Sequence, residues 1–230
     1  VGGGALHPVE NQEEVKQANL EDAVAAASVG DTLYAYPMTA DNGYFLYYDK
    51  KYLSDVDVQT LDGILTVAAA NEKKFTMDWS SGWYLYAFFG GTGLDFGINE
   101  DGITNYCNWN ATEGDVKGVD IAQAMLTIGA HPGFKNCLDA EFLEGVKNGS
   151  VIAGVSGVWN AVEIQQAWGK DYGAVKLPTY TCEGKQIQMS SFKGYKMFGV
   201  NAYSPHLAWA HKLADWITNE ENQILRFEER

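Results

Sequence analysis

Basic residues are scarce in this chain. The 16 Lys and Arg stand against 30 Asp and Glu, a formal net charge of −14 with His neutral. Nucleic-acid binding draws its affinity from Lys and Arg that displace counterions from phosphates, so nucleic acid is excluded as a partner. Adhesion to an anionic membrane surface is disfavoured for the same reason, and the acidity suits solubility in an exposed compartment. Long apolar runs are missing too: none approaches the roughly 20 residues of a membrane span. Cysteine is sparse. Cys107, Cys137 and Cys182 make no C-x-x-C pair and no metal-ligand spacing, and an odd count excludes a fully paired set within the chain. One bridge, such as Cys107 to Cys137, stays open. No signal peptide or lipid-attachment cysteine stands near the start, and Val1-Gly2-Gly3-Gly4 reads as the interior of a longer protein.

Catalytic signatures are equally thin. Gly2-Gly3-Gly4 lacks the Lys-Ser/Thr of a phosphate loop, and Gly90-Gly91-Thr92-Gly93 follows a helical pattern instead of a strand, so both read as loop glycines. There is no G-x-S-x-G elbow and no H-E-x-x-H. His7, His131, His206 and His211 are scattered; the last two, five apart, do not match the i, i+4 spacing of a zinc pair. They read as surface or core histidines, and no cofactor or metal is expected. Spacing alone leaves a glycosidase dyad open, with Asp41 and Asp78 as the carboxylates that follow strands.

What is present is a globular composition. The 230 residues are 46% hydrophobic and 20% charged, enough for one large α/β domain or one and a half smaller ones. Asn11-Gln12-Glu13-Glu14 opens a helix that the Ala-rich run carries to Val29, with Gly30 ending it. Strands are expected at Thr32–Met38, Gly43–Asp49, Lys74–Met77, Ser150–Val155, Tyr172–Leu177 and Lys196–Ala202. Helices are expected at Thr60–Asn71, Gly82–Phe89, Lys117–Gly129, Asp139–Lys147 and Val158–Trp168. Phe96–Cys107 is a hairpin turning at Asn99-Glu100-Asp101-Gly102. A last helix starts with Ser204 as cap and Pro205 at its first position. Its apolar side is Leu213, Trp216 and Ile217, with Trp209 one turn earlier. The alternation predicts an α/β protein with a largely parallel sheet.

Three strand ends carry unusual side chains. They are Thr39-Ala40-Asp41-Asn42, then Asp78-Trp79-Ser80-Ser81-Gly82-Trp83-Tyr84, and Ser156-Gly157-Val158-Trp159-Asn160. Strand ends are where open α/β sheets hold ligands. Carboxylates and amides beside indoles fit a sugar, whose ring faces are apolar and whose edges are hydroxyls. Asp41, Asn42, Asp78, Trp79, Trp83, Trp159 and Asn160 are therefore the candidate ligand contacts. Trp109, Trp168, Trp209 and Trp216 are assigned to packing or surface.

Four passages, taken in order, resemble one family. Tyr36-Pro37 to Asp49-Lys50 looks like the "YP…x-L-x-Y-N-K" segment of maltose/maltodextrin-type extracellular solute-binding proteins of carbohydrate ABC transporters. Asn148-Gly149 to Val158-Trp159 is similar to its "KG…G-P-W". Tyr172 to Pro178 resembles its "Y-G-V-x-x-L-P", and Phe198 to Gln223 its "A-x-S-P…L-T-D-E-x-x-Q" ending. The resemblance implies a periplasmic-binding-protein-like (type II) two-lobe fold, with residues 37–190 in the C-terminal lobe and 1–36 and 191–230 in the N-terminal lobe. It implies a non-enzymatic, extracytoplasmic protein, cell-surface lipoprotein or periplasmic. That protein would bind a small carbohydrate, a maltose or malto-oligosaccharide, and pass it to a membrane permease by clamp closure. Trp159 falls on the family's stacking tryptophan, and Asn42 or Asp41 on its acidic sugar contact. Val158 replaces the usual Pro. The family's first strands and last helices have no counterpart here.

Overall fold

The computed structural model describes residues 1–229. In chain order the elements are β1 (Leu6–His7), α1 (Gln12–Ala18), α2 (Glu21–Ala26), β2 (Ser28–Val29), β3 (Thr32–Leu33), β4 (Ala35–Thr39) and β5 (Tyr44–Asp49). There follow α3 (Leu61–Ala70), β6 (Lys74–Met77), α4 (Gly82–Phe89), β7 (Phe96–Ile98), β8 (Asn105–Cys107), α5 (Gly118–Gly129) and β9 (Phe134–Asn136). The rest are α6 (Asp139–Asn148), β10 (Val151–Gly157), α7 (Ala161–Trp168), β11 (Tyr172–Val175), β12 (Thr179–Cys182), β13 (Lys185–Gln188), β14 (Lys196–Asn201), α8 (Leu207–Thr218) and α9 (Glu220–Glu228). The chain divides into two compact units. The larger is Gly43–Phe192, and the smaller joins Val1–Asn42 to the chain from Lys193 onward.

The larger unit is built on a five-stranded sheet in the order β11-β5-β10-β6-β9. Its centre, β10, is buried at every position from Val151 to Gly157 and is apolar as far as Val155, as a strand covered by helices on both faces must largely be. The expected largely parallel sheet is a mixed one. β10 runs parallel to β6 and β6 to β9, but β5 is antiparallel to both β10 and β11. The two neighbours of β5, β10 and β11, run parallel to each other and are joined through α7, as a helical crossover requires. One face of the sheet carries Leu46, Phe75, Ile152 and Ala153 against Ile64, Leu65 and Ala68 of α3. On the other, Tyr47 and Val151 meet Phe142 and Val146 of α6 and Ile164 of α7. α6 stops at Gly149, whose φ of 74° is the left-handed closure that glycine makes at low cost.

Two elements of this unit had no sequence signal strong enough to read. β9 is only Phe134–Asn136, too short for a period. The β12–β13 hairpin turns through Glu183 (φ 49°) and Gly184 (φ 72°), and Glu is an uncommon residue at positive φ. The expected β7–β8 hairpin forms, with a turn closed by the Gly102 N–H on the Asn99 carbonyl at 2.9 Å and Phe96 facing Cys107. All three cysteines are free, which removes the Cys107–Cys137 bridge.

The smaller unit packs β1, β14 and β4 as one antiparallel sheet against α8. The single helix expected at Asn11–Val29 is two. The Asn19 amide bonds back to the Val15 carbonyl and leads the chain into extended conformation, so α2 starts afresh at Glu21. Gly30 (φ 58°) turns the β2–β3 hairpin and does not end a helix. α8 begins at Leu207, because Ser204 spends its hydroxyl on the His206 N–H ahead of the helix. Its buried side is His211, Ala214 and Thr218. Leu213, on the expected apolar side, is 56% exposed, and Trp209 and Trp216, assigned to packing or surface, are at the surface at 73% and 60%.

Candidate functional site

The parallel strands β6, β9 and β10 all end at one edge of the larger unit's sheet. β5 begins there, since Tyr44 pairs with Gly157. The loops leaving this edge carry Asp78 and Trp79 after β6, Asp139 after β9, and Trp159 and Asn160 after β10. Here the structure supplies a residue absent from the sequence-derived set. Asp139, the first residue of α6, is the hub.

Its carboxylate receives three side-chain donors. Oδ1 accepts from Ser156 Oγ at 2.6 Å, and Oδ2 accepts from the Trp159 indole at 2.7 Å and from Asn160 Nδ2 at 2.9 Å. Asn160 Nδ2 also reaches Ser156 Oγ at 3.0 Å. Ser156 and Asn160 are buried, whereas Asp139 and Trp159 are half-buried. Helix N-termini favour a carboxylate, so α6 itself stabilises the charge it displays. The next backbone group back, Leu138 N–H, is taken by Glu141 at 3.0 Å, which fixes the start of the helix.

A second layer holds the edge in place. Tyr47, fully buried, donates its hydroxyl to the Gly157 carbonyl at 2.8 Å. Burial pushes the phenols of Tyr44, Tyr47 and Tyr84 well above the ordinary tyrosine range, and the Asp139 charge adds to this at Tyr47 and Tyr84. These phenols stay protonated at any physiological pH, and those of Tyr44 and Tyr47 donate to the Ser190 and Gly157 carbonyls. Gly157 has its own requirement: the Trp159 six-membered ring lies over it, leaving no room for a Cβ.

The remaining sequence-derived candidates fall in different settings. Asp78 folds over its own loop, Oδ1 accepting from the Ser80 N–H at 2.9 Å and Ser80 Oγ at 2.6 Å. Trp79 turns inward against Phe134 (4.5 Å between centroids) and Phe88 (5.6 Å), with its indole nitrogen buried. Trp83 stacks on Phe192 at 4.4 Å and meets Tyr44 edge-on at 5.7 Å. It borders an apolar recess with Phe96, Tyr106 and Trp109. Asp41 and Asn42 belong to the smaller unit, where the Asn42 N–H donates to the Gly194 carbonyl at 3.2 Å. Asp139, Trp159 and Asn160 are thus joined in one network with Ser156. Asp139 was legible only as a helix start, because its partners lie about 20 residues downstream.

No group of three His, Cys, Asp or Glu that could hold a metal ion occurs among the described residues. No described helix is long and apolar enough to cross a membrane.

A sequence profile described as bacterial extracellular solute-binding protein matches residues 1–229. A galactooligosaccharide-binding protein of Bacillus subtilis (strain 168) is 28% identical over 239 residues, covering 98% of this chain and 55% of that protein. A structure solved with acarbose superposes with a TM-score of 0.82 at 31% identity, over 99% of this chain and 58% of that one. The maltodextrin-binding protein MalE1 from L. casei BL23, without ligand, gives 0.76 at 25% identity, over 99% and 59%. The chain therefore spans a little over half the length of these relatives, and its fold is periplasmic-binding-protein-like.

Proposed function

The chain belongs to the bacterial extracellular solute-binding proteins, and from that premise we propose that it binds a neutral oligosaccharide, of the malto-oligosaccharide type, at the strand-end edge of the larger unit. The observation that carries this reading is the Asp139 network. It fixes one indole and one amide side by side at the C-terminal ends of parallel strands, a stacking surface beside a hydrogen-bonding edge. The larger unit corresponds to the C-terminal lobe of the family and the smaller to part of the N-terminal lobe. Bound sugar shifts the protein toward a closed form, which an ABC permease receives outside the cytoplasmic membrane. The protein returns its ligand unchanged.

Galactooligosaccharide, acarbose and maltodextrin in the relatives' descriptions set the ligand panel. Calorimetric titration of maltotriose and of a galactotriose into the protein completed to its relatives' length is expected to give saturable one-to-one binding. Chromatography of the recovered sugar is expected to show it intact. Absence of heat with both sugars, or cleavage of either, overturns the reading.

A further inference from the structure

We propose that Asp139 sets the polarity of the ligand site. It turns the side-chain carbonyl of Asn160 outward as an acceptor, and it withdraws the Trp159 N–H from ligand contact. The inference rests on the reading of this edge as the ligand site.

The argument is one of donors and acceptors. A carboxylate only accepts, so all three groups on Asp139 must donate. Ser156 has a single hydroxyl proton, and it goes to Oδ1 at 2.6 Å. Toward Asn160, Ser156 can then only accept, which makes the amide the donor at 3.0 Å. The second amide hydrogen goes to Oδ2 at 2.9 Å. Rotating the Asn160 amide by half a turn would set its oxygen against the carboxylate, acceptor on acceptor. Both N–H bonds therefore point inward and Oδ1 points the other way. That oxygen takes no hydrogen bond among the described residues, and it is not one of the polar atoms sealed from solvent. The indole N–H is committed in the same manner.

The edge thus offers a fixed acceptor, and its two carboxylates, Asp78 and Asp139, are already turned to protein donors. A ligand meets this acceptor by donating a hydroxyl. Uronates and phosphosugars, which bring acceptor-only negative groups, are refused, and neutral hydroxyl-bearing sugars are admitted. Asp139 is a positioning residue: it acts through Asn160 and Trp159.

The test is nuclear magnetic resonance of the indole and side-chain amide protons in the wild-type chain, Asp139→Asn and Asp139→Glu. In the wild type the Trp159 indole proton is expected downfield, and both Asn160 amide protons protected from exchange. In Asp139→Asn the new amide brings its own donor, so the indole signal moves upfield and Asn160 protection is lost. Asp139→Glu keeps the charge and retains the downfield signal, which separates this effect from misfolding. Identical indole and amide signals in wild type and Asp139→Asn overturn the proposal. Affinity for maltotriose is expected to fall about 10-fold in Asp139→Asn, the size of one hydrogen bond to a charged group. Wild-type binding of a glucuronate-terminated analogue as tight as maltotriose also overturns it. Wild-type silence toward every sugar, with the resonance result intact, defeats the ligand-site reading alone.

Discussion

A Cβ added to Gly157 would stand 2.1 Å from Cζ3 of the Trp159 indole. The ring rests on the bare backbone at the end of β10, and its nitrogen is held from beyond by Asp139. Gly157→Ala is therefore expected to lift the ring off this seat and to destabilise the larger unit by about 1–3 kcal/mol, the usual range for overpacking. Urea unfolding followed by tryptophan emission reads both effects. An alanine variant with unchanged midpoint and emission would show that the ring has room to spare.

Trp159 carries the apolar half of the proposed recognition. Trp159→Ala is expected to weaken maltotriose binding by about 1–3 kcal/mol through lost aromatic burial. The same change releases Asp139 from one donor but leaves Ser156 and Asn160 on it, so the fold should persist. Calorimetry with an unchanged dissociation constant would remove this indole from the site.

The smaller unit has its own pH dependence. His211 is buried, with Nε2 3.0 Å from His7 Nδ1 and Nδ1 2.9 Å from the Tyr36 hydroxyl. Burial lowers its pKa from the ordinary 6.5; Glu10 opposes that shift and His7 reinforces it. The Tyr36 phenol is pushed up to about 12 by burial, with Asp215 and Glu10 adding to it. The native state therefore resists a proton that the unfolded chain accepts near 6.5. Between the lowered native value and 6.5 the unfolded state binds more protons, so stability falls as pH drops through this window and levels off below it. Thermal midpoints collected from about pH 7.5 to about 5 should show the slope in the wild type and a shallower one in His211→Asn. Equal slopes would clear His211 of the effect.

The cysteines offer a simple count. Cys107 is exposed, whereas Cys137 and Cys182 are buried, and burial raises both of the latter thiols. Thiolate is the reactive form. One thiol per chain should react with a chromogenic disulfide reagent in the native state and three after unfolding. Two or more fast native equivalents would contradict the described burial.

Much of this fold could be read in advance because its principal strands are short apolar runs bounded by polar loops. Tyr44–Asp49, Lys74–Met77 and Val151–Gly157 announce themselves in this way. Trp159 and Asn160 followed from their place after such a run. Strand direction did not, because alternation of elements says nothing of β5, whose partners β10 and β11 lie over 100 residues later. Asp139 escaped for the same reason: a helix-start aspartate is ordinary until Ser156, Trp159 and Asn160 are brought to it. Trp79 shows the converse, since a tryptophan beside Asp78 at a strand end still buries its ring when Phe88 and Phe134 wait beneath it. On α8 the apolar period fell on the exposed side, because the packed side is made of His, Ala and Thr, which carry little hydrophobic signal.

The junction residues described above have a bearing on how this chain can be taken apart. Asn42 and Gly194 touch, a Cβ on the glycine falling 1.9 Å from the asparagine carbonyl oxygen. Gly43 and Phe192 are neighbours in the same manner, at 2.6 Å. Residues 43–192 are thus a cassette whose two ends emerge side by side. Closing the remaining chain with a few residues from Asn42 to Lys193 spans almost no distance and costs little loop entropy. Excision of residues 43–192 is therefore expected to leave ends that a short linker rejoins at the same seam.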